Sequence, residues 1–222
     1  MIDWVTAVLP CHHDTAINGG RIVKVSKGGE VQWQTEHRFE VKGSHETNIF
    51  VKTIDDGLLE ITGNPVKFIQ GHNLWGTDDL AGLVFELMTR LTEILELSPT
   101  EADMNIWADG DYQLRRVDLT NSYSLKSRPN VRAWLRSAEH SAYLRNRGRW
   151  QLTKNSTLYF GENSRRWAIK LYSKGDEIEA HQLPLTIESA FPALADGSAC
   201  ATSFSRIAQR SLALRPAHSP SH

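Results

Sequence analysis

The sequence predicts an α+β fold: a mainly antiparallel sheet with helices packed on one face. Three observations support this prediction. The first 70 residues contain short runs rich in Val, Ile, Phe and Thr, separated by turn signals such as Gly28-Gly29 and Asp56-Gly57. From Thr77 onward apolar residues recur every three or four positions, as they do on one face of a helix. Strand and helix patterns then alternate as far as His181.

The front of the chain is predicted to form six strands followed by a helix. The strands are Ile2–Leu9, Arg21–Val25, Arg38–Val41, Ile49–Ile54, Leu58–Thr62 and Val66–Ile69. Thr77 is the predicted N-cap of the helix, and Asp78 and Asp79 lie in its first turn, where the helix dipole favours anions. The apolar stripe from Leu80 to Leu95 is interpreted as core, with no ligand function.

The second half is predicted to continue the same alternation. Strands are expected at Met104–Ala108, Gln113–Ser124, Ser156–Phe160 and Trp167–Tyr172, with one helix from Pro129 to about Arg147 and another at Gly175–His181. Residues 1–183 are therefore predicted to form one domain. Residues 184–222 are rich in Ser, Ala, Arg and Pro and are predicted to be a low-complexity tail that is either disordered or truncated, in which Ser205–Leu214 could form a helix.

The charge of the chain is distributed unevenly, although its net value is only −1. Residues 1–114 hold 8 Lys and Arg against 18 Asp and Glu, whereas residues 115–182 hold 14 against 6. Such an asymmetry indicates a nucleic acid or another acidic partner, although a solvated helix face rich in arginine would look similar. Two cysteines are too few for a disulfide framework or a thiolate zinc site. With no secretory signal and no apolar run of about 18 residues, the cytoplasm is the expected compartment.

A tyrosine between two lysines is the first candidate for a catalytic residue. In a strand over Trp167–Tyr172, side chains alternate, so Trp167, Ile169 and Leu171 share a core face while Lys170, Tyr172 and Lys174 share the other. Neighbouring ammonium groups favour the phenolate form of a tyrosine and attract phosphate, which suits attack on a phosphodiester. The alternative is an exposed strand face of long amphipathic residues.

A phosphodiester attack also needs a divalent cation, so carboxylates near this segment are candidate ligands. Asp118 and Glu177 are the candidates, and His72, in the loop before the first long helix, is a third. A lone carboxylate in a basic stretch is more often a salt-bridge partner, and a histidine in such a loop is usually structural. No His-x-His pair occurs in the chain.

Four segments resemble the gene II/X family of filamentous-phage replication initiators. They are Met1-Ile2-Asp3, the run from Pro65 to Leu80 with its Gln70-Gly71-His72-Asn73, the Arg116-Val117-Asp118 strand, and Tyr172-x-Lys174 with Glu177. The resemblance covers roughly residues 1–183 and implies a rolling-circle initiator fold and a site-specific nick in origin DNA through a covalent 5′-phosphotyrosine. The resemblance assigns Tyr172 as the nucleophile and matches Lys174 to the lysine of the family's Tyr-x-Lys motif. It also assigns Asp118 and Glu177 as ligands of Mg²⁺ or Mn²⁺. Leu158-Tyr159-Phe160-Gly161 also resembles plasmid rolling-circle initiators, which makes Tyr159 a competing nucleophile.

The resulting prediction is a metal-dependent enzyme that nicks and rejoins phage origin DNA in the cytoplasm of a bacterial host. Expected partners are single- and double-stranded origin DNA and host replication proteins. The residues expected to contact DNA are Arg132, Arg136, Arg145, Arg147, Arg149, Arg165, Arg166 and Lys170. The alternatives are a non-catalytic DNA-binding regulator, or an inactive truncated prophage copy, of the same fold.

Overall fold

The fold divides into two compact units. The computed structural model describes residues 1–43, 47–55, 57–144, 148–149, 151–153, 157–161, 164, 166–181 and 199–207, in part by the backbone alone. The front unit comprises residues 5–72 and 79–115, and the rear unit comprises residues 1–4, 73–78 and 116–207. Each strand pair with a described register is antiparallel, so the predicted α+β class is confirmed.

The front unit contains a four-stranded sheet, a separate two-stranded ribbon and three helices. The elements are β1 (Ile2–Pro10, whose first residues belong to the rear unit), β2 (Arg21–Val25), β3 (Val31–Glu36), β4 (Phe39–Lys42), β5 (Asn48–Asp55), β6 (Leu58–Gly63), α1 (Pro65–Gln70), α2 (Leu80–Ile94) and α3 (Glu101–Asp109). The sheet order is β1-β6-β5-β4, and β2 pairs only with β3 among the described strands. Helix α3 is fixed against the end of β1, because the Trp107 indole donates to the Pro10 carbonyl at 2.7 Å.

Glu60 is a buried carboxylate in this unit, and two arginines neutralise it. The Arg38 guanidinium donates to its Oε1 through Nε at 3.0 Å and Nη2 at 2.7 Å, and Arg115 bonds its Oε2. A buried carboxylate without such partners would cost several kcal/mol in desolvation. This triad therefore joins β6 to the start of the next strand.

Two segments predicted as strands are helices, and local caps explain both corrections. At Val66–Ile69 the Asn64 side chain accepts from the Lys67 amide at 2.8 Å, Pro65 occupies the first turn, and Gly71 ends α1 with φ of 86°. At Met104–Ala108, Thr100 and Asp103 form a reciprocal capping box that begins α3. The first long helix is capped by Asp79 and not by Thr77, since the Asp79 carboxylate accepts from the Gly82 amide at 3.0 Å.

The rear unit is built on a five-stranded antiparallel sheet. Its elements are β7 (Gln113–Ser124, which starts in the front unit), α4 (Arg128–Ser141), β8 (Tyr143–Leu144), β9 (Gly148–Arg149), β10 (Gln151–Thr153), β11 (Thr157–Phe160), β12 (Trp167–Ser173), α5 (Lys174–His181) and β13 (Ala199–Ile207). The strand order is β10-β11-β12-β13-β7. Helix α4 ends at Ser141, earlier than predicted, and its residues Val131 and Leu135 pack with Leu158 and Leu171 in a buried cluster.

The strand β13 corrects the prediction that a disordered tail begins at residue 184. Ala199–Ile207 pairs with β12 on one side and β7 on the other, so Phe204 has Ile169 and Leu119 as its register partners. The helix expected from Ser205 is therefore wrong for Ser205–Ile207. In the segment Ala199-Cys200-Ala201-Thr202-Ser203, Thr202 is the one residue of a type enriched in strands, and backbone hydrogen bonds to two neighbours hold the segment. In the described part of the chain, no helix is long and apolar enough to cross a membrane.

Leu135→Ala should destabilise the rear unit through the cavity that it leaves in the core. We expect the free energy of unfolding to fall by about 2–5 kcal/mol, measured by urea denaturation. The matched control is Trp134→Ala, whose side chain is exposed on the same helix and whose loss should cost at most about 1 kcal/mol. Equal losses in the two variants would contradict the packing of α4 on the sheet.

Candidate functional site

Pairing of β11 with β12 brings two tyrosines and a lysine to the same face of the rear sheet. Tyr159 lies opposite Lys170 in the register, and Thr157 lies opposite Tyr172. Directly opposite residues share a face, and neighbours along a strand alternate. Tyr159, Lys170 and Tyr172 therefore lie on one face, while Leu158 and Leu171 lie on the other, beneath α4.

Two ammonium groups lie close to the Tyr172 ring, as the sequence predicted. The Lys170 Nζ atom lies 4.6 Å from the centroid of the Tyr172 ring, and the Lys174 Nζ atom lies 5.8 Å from it. Lys170 is also 5.8 Å from the centroid of the Tyr159 ring. The phenol of Tyr172 thus has two cationic neighbours, whereas the described contacts give Tyr159 one.

Burial separates this arrangement from an exposed strand of amphipathic residues. Tyr172 is 6% exposed and Lys174 is 4% exposed. Lys174 is also the first residue of α5 and not part of the strand, which corrects the prediction that it continues the β12 face. Its ammonium lies beside the ring and contacts the side chains of Glu177 in the same helix and Asn73 in another segment.

Those side chains form a network around Lys174 that sequence reasoning only partly found. The Lys174 Nζ atom is 2.7 Å from Glu177 Oε2 and donates to Asn73 Oδ1 at 3.5 Å. The Asn73 amide nitrogen in turn donates to Asp3 Oδ1 at 2.7 Å. Asn73 and Asp3 were not predicted as site residues, although both stand in segments that carry the family resemblance.

Asp118, the other candidate metal ligand, forms a two-point ion pair with its strand neighbour. It is buried on β7, where the Arg116 guanidinium donates to Oδ1 through Nε at 2.9 Å and to Oδ2 through Nη2 at 2.6 Å. The hydrogen bond to Asp118 raises the pKa of Arg116, burial opposes this, and the nearby Asp3 carboxylate adds to it. Arg116 also lies over the Trp4 ring at 5.4 Å from its centroid.

The predicted metal ligands do not form a ready-made site in the described residues. No group of three or more His, Cys, Asp and Glu side chains is close enough there to hold an ion. Asp118 is engaged by Arg116, and Glu177 by Lys174. His72 belongs to the front unit, where its Nδ1 atom is 3.1 Å from the Gln70 amide nitrogen.

The predicted DNA-contacting arginines are divided between the described and undescribed parts of the chain. Arg136 and Arg166 are exposed, and Arg132 is half-exposed, 3.7 Å from Asp176. Arg128, which the prediction omitted, lies 3.3 Å from the same carboxylate. Arg145, Arg147 and Arg165, and the Arg149 side chain, lie outside the described residues.

Comparison with known proteins gives matches of three kinds. Residues 1–210 match the Phage CRI family model, which describes the N-terminal part of a phage replication-associated protein. The chain is 41% identical over 198 residues to the replication-associated protein of Enterobacteria phage I2-2, covering 85% of this chain and 57% of that relative. It thus spans little more than half of that relative's length. A rolling circle replication initiator protein from Geobacillus stearothermophilus aligns with a TM-score of 0.46 and 11% identity, over 95% of this chain and 74% of that chain.

Proposed function

The chain belongs to the Phage CRI family of replication-associated proteins, and we propose that it nicks and rejoins phage origin DNA through a tyrosine–phosphodiester intermediate. The single observation that carries this proposal is the presence of two ammonium groups beside the Tyr172 ring, with Lys170 Nζ 4.6 Å and Lys174 Nζ 5.8 Å from its centroid. A phenol in that setting is a nucleophile placed where a phosphate anion is attracted.

The proposed reaction exchanges one phosphodiester for another. The Tyr172 phenol loses its proton as its oxygen attacks phosphorus, and the bond from phosphorus to the 3′ oxygen of the preceding nucleotide breaks. That 3′ oxygen takes up a proton and leaves as a free hydroxyl, while the 5′ phosphate stays on the tyrosine. Because the new bond preserves the energy of the old one, a 3′ hydroxyl can reverse the reaction and join the strand without ATP.

The two lysines would act on charge that develops during this exchange. The transition state carries extra negative charge on the oxygens around phosphorus, and fixed cations stabilise it. Lys174 is held in place by Glu177 and Asn73, so it needs little reorganisation when the phosphate arrives. Lys170 lies near both rings, so Tyr159 stays in the proposal as the competing nucleophile.

A divalent cation, Mg²⁺ or Mn²⁺, is also part of the proposal. When bound, it would neutralise charge on the phosphate oxygens. Asp118 and Glu177 are the carboxylates proposed to hold it, and each would have to be released by the cationic side chain that now engages it. The proposed setting is the cytoplasm of the phage's bacterial host, with origin DNA and host replication proteins as partners.

A non-catalytic DNA-binding regulator is the second candidate. It is favoured by one observation: Asp118 and Glu177, the carboxylates proposed to hold the metal, are each engaged by a cationic side chain. Incubation with supercoiled origin DNA and Mg²⁺ separates the two. The enzyme converts the DNA to open circles, whereas the regulator gives a mobility shift and leaves the DNA supercoiled.

Tyr172→Phe should abolish the covalent protein–DNA adduct and leave DNA affinity nearly unchanged, because only the nucleophilic oxygen is lost. The adduct is detected by denaturing gel and mapped by mass spectrometry. Tyr159→Phe is the matched variant on the same face and should retain the adduct. An adduct that persists in Tyr172→Phe and disappears in Tyr159→Phe would identify Tyr159 as the nucleophile.

Asp118→Asn and Glu177→Gln should each weaken cleavage strongly, and Mn²⁺ should restore part of it if these carboxylates are ligands, because Mn²⁺ binds weakened oxygen sites more tightly than Mg²⁺. Cleavage is measured against Mg²⁺ and Mn²⁺ concentration. The exposed carboxylate of Glu93 on α2 supplies the control, Glu93→Gln, which should behave as wild type. Wild-type cleavage in both site variants would show that the proposed metal site is misplaced.

Neutralising Arg132 and Arg136 should reduce the salt dependence of DNA binding if α4 contacts phosphate. Each lost contact removes a released counterion and should lower the slope of log K against log salt by about 0.7–0.9. Arg132 must first exchange Asp176 for phosphate, so Arg136 should account for more of the change. Asp55→Asn/Asp56→Asn serves as the control in the acidic half. Equal slopes for wild type, control and Arg132→Ala/Arg136→Ala would exclude α4 as a phosphate contact.

A further inference from the structure

We propose that Asn73 is a positioning residue of the tyrosine site, holding the Lys174 ammonium beside Tyr172 by linking it to Asp3. This inference depends on the function proposed above, because it assigns to Asn73 a role in that reaction. It gives a role to the asparagine of the segment Gln70-Gly71-His72-Asn73.

The chemistry of its two neighbours fixes how the Asn73 amide is oriented. A carboxylate only accepts hydrogen bonds, and an ammonium only donates them. The amide nitrogen must therefore be directed to Asp3, which it meets at 2.7 Å, and the amide oxygen to Lys174, at 3.5 Å. An amide offers one donor side and one acceptor side in a single short group, whereas an aspartate here would repel Asp3.

Two hydrogen bonds that involve backbone amides fix the segments that carry the network. The Ile2 amide donates to the Thr77 carbonyl at 3.0 Å, which attaches the loop of Asn73 to the strand of Asp3. At the start of α5 the Asp176 amide donates to Ser173 Oγ at 3.3 Å, which fixes the turn that carries Lys174. The Asn73 side chain thus connects the start of β1 with the strand–helix junction beside Tyr172.

Because Lys174 is buried, the position of its amine depends on the side chains that contact it. An ammonium that is almost fully buried needs polar partners, and the described partners of Lys174 Nζ are Glu177 and Asn73. Glu177 belongs to the same helix, one turn away, and can move with Lys174. Asn73 belongs to another segment, so it alone of these two fixes the amine relative to the rest of the unit.

The first test needs no DNA and measures the exposure of the Lys174 amine. Acetylation by an N-hydroxysuccinimide ester, followed by peptide mass spectrometry, should be several-fold faster at Lys174 in Asn73→Ala than in wild type. Asn130→Ala is the matched control, since the Asn130 amide donates to the Leu125 carbonyl in the same unit. Unchanged acetylation in Asn73→Ala would overturn the proposed contact. Should that variant fail to fold, Asn73→Ser answers the same question.

The second test exchanges the two partners, with an origin oligonucleotide as substrate. Asn73→Asp opposes two carboxylates and should lower kcat for adduct formation about 10- to 100-fold, with KM nearly unchanged. Asp3→Asn keeps an acceptor oxygen for the Asn73 amide and should lower kcat much less. The double variant Asp3→Asn/Asn73→Asp restores a donor–acceptor pair and gives Lys174 a carboxylate partner, so it should recover most of kcat.

Each outcome separates this inference from the proposed function. A double variant as slow as Asn73→Asp, with equal melting temperatures and an active wild type, would overturn the positioning role. If wild type forms no adduct at all, the proposed function fails. The acetylation rates then still decide whether Asn73 holds the lysine.

Discussion

The alternation of side chains along β12 is the constraint on which the rear unit depends. Because successive side chains point to opposite faces, this seven-residue strand contributes to the hydrophobic core on one face and to the candidate site on the other. Leu171 contributes to the core with Leu135 of α4, while Lys170 and Tyr172 form the polar face with Tyr159. A shift of one residue in the pairing with β11 would bury the lysine and expose the core, so packing and chemistry require the same register.

Pairing of opposite charges is the second feature common to the molecule. Glu60 in the front unit and Asp118, Asp176 and Glu177 in the rear unit are each engaged by arginine or lysine. In the salt bridges of Asp118 and Glu177, the cationic side chain could also bind a phosphate, and the carboxylate could also bind a metal ion. If DNA binds here, its phosphates would replace the carboxylates as partners of these arginine and lysine side chains. Each new ion pair would then form at the expense of an existing one, so the electrostatic gain would be smaller than the number of positive charges suggests.

Periodicity predicted the elements whose signal extends over many residues, and the structure confirms β7 from Gln113 to Ser124 and the helix that follows Asp79. It failed where a few capping atoms decide the conformation, as at Asn64 and Thr100, because apolar runs of four or five residues fit a strand or a helix equally well. Lys174 approaches the Tyr172 ring from α5 and not from the strand face, but its proximity to the ring was predictable from their spacing. Asn73 and Asp3 were not, since their role comes from contacts between residues far apart in sequence.

The position of β13 has a consequence for how the protein is made. This strand is late in the sequence but lies between β12 and β7 in the sheet. The rear sheet can therefore form completely only after the chain up to Ile207 has left the ribosome. Until then both neighbours expose unpaired backbone edges, which are templates for association with other chains. Nascent chains and early-terminated products of this gene would share that hazard, and chaperone binding during synthesis would be most useful in this interval.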